Sequence, residues 1–296
     1  MKIVFYHSIH KAYEQRICDS LGEGMAVHGD ELILVHKGDW DGPIIGTDGA
    51  MMFGVKARRL FAPHKEVGIP PIFVDKGYMG IKGTGGRSNF FKFSVGEMHP
   101  VSYFQSESRP GDRFKALNIS VKPWQKPRSH SKVLLALSSR KYCVWFGIDN
   151  PHKFAAKIVR SIQKVLDHAN DKREIIYRPK PSWDDAEPVK GAGYSRPPEK
   201  IIDVLRNTHC LVTHGSNAAI DALIMGVPVV VLGPGIAQPV ASRDVRGVTR
   251  PYRPSRGQVD QFLRDLAYCQ WTTEELRSGL AWEYIRRDIW RELRCR

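Results

Sequence analysis

Short unbroken apolar runs alternate along this chain with stretches whose apolar positions recur at helical spacing, the pattern of buried strands joined by helices. Lys2 to Tyr6 reads as a buried strand, Tyr13 to Leu21 as a short helix and Glu31 to Val35 as a second strand, the opening of a doubly wound α/β domain. A turn at Asp48-Gly49 and a basic helix over Met51 to Arg59 lead to an apolar strand, Pro70 to Val74, that ends in Asp75-Lys76-Gly77-Tyr78. The pattern restarts at Val133 to Leu137, a strand followed by the polar turn Ser138-Ser139-Arg140-Lys141. Pro151 to His168 is an amphipathic helix with Asp149-Asn150 as its cap and proline at its first position. Glu174 to Tyr177 is the next strand and ends in Arg178-Pro179-Lys180-Pro181. Pro198 to Leu205 and Val259 to Tyr268 read as helices, Thr272 as an N-cap, and Gly279 to Leu293 as an amphipathic, Arg-rich closing helix.

The stretch Thr208 to Gly233 combines these signals as strand, turn, helix and strand. Leu211 and Val212 form the first strand, Thr213-His214-Gly215-Ser216-Asn217 the turn, and an Ala-rich segment runs to Met225 before Gly226 and Pro228 stop it. Ser216 or Asn217 can cap the helix while Gly215 lets backbone approach a ligand, which leaves free amides and the positive end of the helix dipole facing outward as an anion site. Asp221, the helix's one charge, sits one turn after Asn217, and a buried carboxylate needs partners. A ribose diol beside a bound diphosphate satisfies it, and so does a neighbouring arginine or a capped element. Asp75 has two readings as well: a group aimed at a cleft from the carboxyl end of a strand, or a cap for the Gly-rich turn over residues 78–86. His7 and His10, at the mouth of the first strand, read as cleft-facing or as ordinary surface histidines.

The small-residue turn, the Ala-rich helix bearing an acid and the following G-x-P-V-V-V resemble the donor-nucleotide site of GT-B glycosyltransferases, most closely the branch of capsule Kdo transferases and polyol-phosphate transferases. The resemblance covers about Val133 to Gly279 and, in the first half, Asp75-Lys76-Gly77-Tyr78. It implies an α/β fold of two Rossmann-like (doubly wound) domains facing a cleft. The expected division is an acceptor domain over 1–130, a donor domain over 131–279 and a crossover helix over 280–296 that returns to the first domain. It further implies a donor-nucleotide set of Ser138, Arg140, Arg178, Lys180, His214, Gly215, Ser216, Asn217 and Asp221, with Asp75 as the general base. The chain departs from the family pattern twice, with Asp221 where Glu is commoner and Lys180 where R-P-x-P runs often carry His.

Composition changes this picture chiefly through charge. A net charge of +14 exceeds what a small nucleotide ligand requires and points to a polyanionic partner, unless it is only a surface bias. Tyr103 to Lys132 interleaves Arg109, Arg113, Lys126 and Arg128 with Tyr103, Phe104, Phe114 and Trp124, as a nucleic-acid groove or a Pro-rich charged linker would. Ser242 to Arg256 adds Arg246, Arg250 and Arg253 in a second basic loop. The expected DNA-binding set is Arg109, Arg113, Trp124, Lys126, Arg128, Arg246, Arg250 and Arg253. Small GT-B enzymes of bacterial viruses that glycosylate hydroxymethylated bases are similar in compactness and basic charge. The expected partners are therefore a nucleotide sugar and double-stranded DNA. A capsule or teichoic-acid transferase and a non-catalytic nucleic-acid-binding protein on a GT-B scaffold are the alternatives.

No apolar run is long enough to span a membrane and the amino terminus turns polar after a few residues, so a cytoplasmic location, host cytoplasm for a virus-encoded protein, is expected. The five cysteines, Cys18, Cys143, Cys210, Cys269 and Cys295, form no CxxC pair and read as reduced thiols rather than a zinc site. No metal and no cofactor beyond the nucleotide-sugar co-substrate are expected.

Overall fold

A computed structural model describes residues 1–8, 12–54, 58–80, 89–101, 108–126, 128 and 130–294. The expectations placed on His10, Tyr103, Phe104, Cys295 and the glycines of residues 81–86 lie outside the described residues. The strands are β1 (Lys2–His7), β2 (Glu31–His36), β3 (Gly49–Phe53), β4 (Pro71–Lys76), β5 (Phe91–Val95), β6 (Lys132–Ala136), β7 (Ile175–Arg178), β8 (Gly193–Tyr194), β9 (Thr208–Thr213), β10 (Val229–Val231) and β11 (Gln270–Trp271). The helices are α1 (Ala12–Ala26), α2 (Arg58–Glu66), α3 (Asp112–Ala116), α4 (Arg140–Trp145), α5 (Pro151–His168), α6 (Ile201–Leu205), α7 (Ala218–Ile224), α8 (Arg256–Ala267), α9 (Thr273–Arg277) and α10 (Leu280–Arg294).

The chain divides into two compact α/β units. Unit 1 comprises Met1–Pro100, Asp112–Leu117 and Asp265–Arg296, and unit 2 comprises Val101–Gly111 and Asn118–Arg264. Sheet 1 runs β11-β5-β4-β3-β1-β2. Its β2, β1, β3 and β4 are parallel, while β5 and β11 join antiparallel at one end. Sheet 2 runs β10-β9-β6-β7-β8 and is parallel throughout.

Burial explains where the pattern was read correctly and where it was not. Helix α5 follows its apolar spacing, with Ala155, Ile158, Val159, Ile162 and Leu166 turned to the core and the Asn150 side chain accepting the Lys153 amide at 2.8 Å. Residues 49–53 form a strand instead of opening the helix expected over Met51 to Arg59. Ala50, Met51, Met52 and Phe53 are all buried between β1 and β4, so tertiary pairing overrides the helix preference of Ala and Met. The closing helix returns to the first unit, as expected: Trp282, Ile285 and Ile289 of α10 share a core with Ile3, Phe5 and Met51. Asp30 anchors it by accepting the Trp282 indole N–H at 2.6 Å.

A second tie inside unit 1 comes from Gln270, which is fully buried. Its Oε1 accepts the amides of Tyr78 and Met79 at 2.7 and 2.8 Å, and its Nε2 donates to the Met79 carbonyl at 2.9 Å. One side chain thereby satisfies three backbone groups just beyond the strand end that carries Asp75. Replacing Gln270 by Leu strands those groups, at about 1–3 kcal/mol each, so urea denaturation of Gln270→Leu is expected to show a loss of roughly 3 kcal/mol or more; a midpoint equal to wild type contradicts this role.

Five imidazoles are held below their ordinary value, with burial the first cause for His7, His64, His99, His209 and His214 alike. A base whose pKa is lower in the folded state binds protons more readily when unfolded. Its stabilising effect is complete above about pH 6.5 and is lost as pH falls below that value. Stability is therefore expected to drop between pH 7.5 and 5, and a urea midpoint constant across that range would contradict it.

Candidate functional site

Unit 2 presents its chemistry along one sheet edge. From β6 the chain crosses through α5 to β7 and β8 on one side, then returns to β9 and β10 on the other. The gap between the carboxyl ends of β6 and β9 is therefore a topological switch point, where open α/β sheets bind ligands. Two loops flank it: residues 138–140 after β6 and residues 214–217 after β9.

The loop after β6 leads into α4, whose Ser139 side chain accepts the Tyr142 amide at 3.4 Å. Tyr142 in turn donates its hydroxyl to the Pro234 carbonyl and sets its ring edge against His214, with centroids 6.2 Å apart. Phe146 and Phe154 complete a ring cage around His214, at 5.8 and 5.4 Å. His214 is buried there with its Nδ1 unpartnered among the described residues, and burial holds its imidazole below the ordinary value. Glycines let these groups close up. A Cβ on Gly215 would run into the Tyr142 hydroxyl and the Pro234 carbonyl, one on Gly233 into the His214 ring, and one on Gly235 would lie 2.9 Å from the Gly215 Cα.

The turn's amides are arranged differently from the sequence expectation. Thr213 Oγ1 accepts the Gly215 and Ser216 amides at 3.2 and 2.9 Å, so these two are not the free donors that the sequence suggested. Asn217 holds the N-cap position of α7 without a side-chain capping bond, and Ser216 Oγ accepts the Ala218 amide at 3.3 Å. Asn217 and Asp221 are both half-buried on the first turn of that helix.

Other members of the expected donor set stand in varied places. Ser138 is buried at the end of β6, and Arg140 is exposed and paired with Asp185 at 3.1 Å. Arg178 is buried at the end of β7 and held by the segment after β8: it donates to the Ser195 hydroxyl and, at 2.6 Å, to the Glu199 carbonyl, with the Glu199 carboxylate 3.8 Å away. That commitment corrects the expectation of a cation aimed at a ligand. Lys180, two residues on, is exposed.

In unit 1, Asp75 lies half-exposed at the end of β4, opposite Lys92 of β5 in register. It accepts its neighbour's Lys76 amide at 2.8 Å. The amides of Tyr78 and Met79, at the start of the turn over residues 78–86, are taken by Gln270, and the Gly77 amide by the Phe90 carbonyl.

The expected DNA-binding residues separate into inward-facing and outward-facing groups. Arg113 belongs to unit 1, where its guanidinium covers the Trp271 ring at 3.9 Å, pairs with Glu275 and donates to the Ala267 and Gln270 carbonyls. Arg109 is buried in unit 2. Both therefore leave the set of surface cations. Arg246 is exposed and tied to Asp244, Arg250 is exposed and Arg253 half-buried. Trp124, Lys126 and Arg128 do come together, around a cavity of about 350 Å³ that Lys122 and Arg206 also line. The two basic loops meet there, since the Trp124 indole donates to the Pro254 carbonyl at 3.1 Å. Gln270, Tyr142 and Arg206 carry no signal in the sequence, and Thr213, placed there in the turn, is not marked by residue type as the acceptor of its amides.

No family model matches the sequence, and no curated protein matches it. Among solved structures, the chain is similar to the beta Kdo 2,4 transferase of Thermosulfurimonas dismutans KpsC, with 14% identity, 89% of each chain covered and a TM-score of 0.52. It is also similar to the beta Kdo 2,7 transferase of the same protein, at 12% identity and a TM-score of 0.52, covering 95% of this chain and 99% of that one. The two α/β units with a returning terminal helix are thus a GT-B-like fold, shared with those two transferase domains.

Proposed function

We propose that this chain is a glycosyltransferase that moves a sugar, or a related polyol unit, from a nucleotide-activated donor to a hydroxyl acceptor. The observation that carries the proposal is the switch point of sheet 2, which brings the loops after β6 and β9 to one edge beside a glycine-packed turn. The names of the KpsC structures, both beta Kdo transferases, support it. In this reading Ser216 and Asn217 hold the donor phosphate and Lys180 adds a point charge, while Asp221 accepts hydrogen bonds from the ribose. Arg178, already committed to Ser195 and Glu199, is left out of the set.

Asp75 is the general base. It takes the proton of the acceptor hydroxyl as that oxygen bonds to the donor carbon, and the bond from this carbon to the phosphate oxygen breaks with its electron pair leaving on the nucleotide. The finer reading of the acceptor is hydroxymethylated bases of bacteriophage DNA, supported by the net charge of +14. The likeness to capsule Kdo transferases favours a second reading, an acidic cell-surface polymer. Transfer of labelled sugar to hydroxymethylated duplex DNA, set against transfer to an acidic oligosaccharide, separates the two.

Asp221→Asn and Lys180→Ala are each expected to weaken nucleotide binding by about 1–3 kcal/mol, read by isothermal titration calorimetry. Unchanged affinity in both sinks the donor assignment. Asp75→Asn is expected to lower turnover by roughly 100-fold or more with nucleotide affinity near wild type. A fully active variant removes Asp75 from the chemistry.

A further inference from the structure

Residues 121–126 form an extended strap fixed to unit 2 along its length. The Lys122 amide donates to the Ile224 carbonyl and the Gln125 amide to the Gly226 carbonyl, each at 2.8 Å. The Gln125 side chain reaches the Leu205 and Met225 carbonyls at 3.1 Å, and Arg256 donates to the carbonyls of Val121 and Lys122. The strap is also held close at Gly226, where φ is +71° and the Pro123 carbonyl occupies the space a Cβ would need. These anchors lie in the loops that enter β9 and β10. The strap therefore covers the amino-terminal edge of sheet 2, the opposite edge from the switch point.

Two adjoining cavities open along it, and both are bordered by Lys122, Pro123 and Trp124. One, of about 300 Å³, is walled mainly by Val121, Leu223 and Val259, with Arg256 at its border. The other, of about 350 Å³, is lined by Lys126, Arg128 and Arg206 and has no acidic residue in its lining. Lys122, Lys126 and Arg128 are exposed and form no ion pair among the described residues. An apolar slot beside an indole, next to uncompensated cations on a rigid backbone, offers a place for a flat apolar ring and a place for phosphates.

We propose that this groove binds a single strand of nucleic acid, with an unstacked base in the apolar cavity against Trp124 and the backbone phosphates on Lys122, Lys126 and Arg128. A duplex keeps its bases stacked and cannot fill the apolar slot, and an acidic glycan offers saturated, hydroxyl-bearing rings in place of a flat aromatic one. This is a second site of unit 2, remote from the nucleotide turn, and it stands whether or not that turn holds a nucleotide sugar.

Fluorescence anisotropy of a labelled oligothymidylate, titrated with the full chain across a salt series and without any donor, tests it. Trp124→Ala is expected to weaken binding about 5- to 150-fold at fixed salt with little change in salt slope, the effect of one lost base stack. Trp124→Phe, which keeps a ring and guards against a loosened strap, retains affinity within a few-fold. Lys126→Gln and Arg128→Gln each flatten the slope of log K against log salt by about 0.7. The proposal is overturned if no binding occurs at low salt, if Trp124→Ala binds like wild type, or if heparin or anionic phosphatidylglycerol vesicles compete as well as unlabelled oligothymidylate at equal charge.

Discussion

Parallel pairing is the constraint on which the unit 2 site depends. When every strand of a sheet points the same way, every carboxyl end opens onto one edge, and residues far apart in sequence are delivered there without contacts of their own. In sheet 2 this brings residues 138–140, Lys180, the turn 214–217 and the Gly233–Gly235 loop to a common rim. Reversal of direction from β6 then leaves a gap between β6 and β9 for a ligand. The glycines follow from that geometry, because Tyr142, His214 and Pro234 close over the rim only where Gly215 and Gly233 carry no side chain.

Polar chemistry follows burial more than it follows sequence position. Arg113, Arg178 and Arg109 all belong to basic stretches, yet each is buried or caged within its own unit. Desolvated guanidinium groups need acceptors on several sides, and Arg113 finds them in Glu275 and two backbone carbonyls over the Trp271 face. The positive field that remains outside is carried by residues such as Lys122, Lys126 and Arg128, which form no ion pair among the described residues. The charge of the chain thus divides into a structural portion and an available one, and net charge cannot tell them apart.

What could be read from sequence was whatever local spacing determines. The strand, turn and helix from Thr208 to Ile224 were legible because a strand buried on both faces is a continuous apolar run and because Gly215 and Asn217 punctuate it. Asn150-Pro151 announced α5, and Thr272 announced the start of α9, where the structure adds a capping box with Glu275. Gly49–Phe53 was misread because Ala-Met-Met suits a helix, and only β1 and β4 on either side decide otherwise. Gln270 was invisible for a different reason: its partners Tyr78 and Met79 lie in another part of the chain, and no local pattern marks a side chain that substitutes for a missing strand partner. Thr213 taking two turn amides is a detail of hydrogen-bond direction that residue type alone does not specify.

The central claim is that the turn after β9, with the loop after β6, holds the phosphate of a nucleotide. Hydrogen–deuterium exchange of the intact protein with and without a panel of nucleoside diphosphates and monophosphates addresses it most directly. Slowed exchange confined to peptides spanning residues 136–146 and 211–218 is the result this account predicts. Protection that falls instead on residues 121–128, or no protection by any nucleotide at saturating concentration, would contradict it.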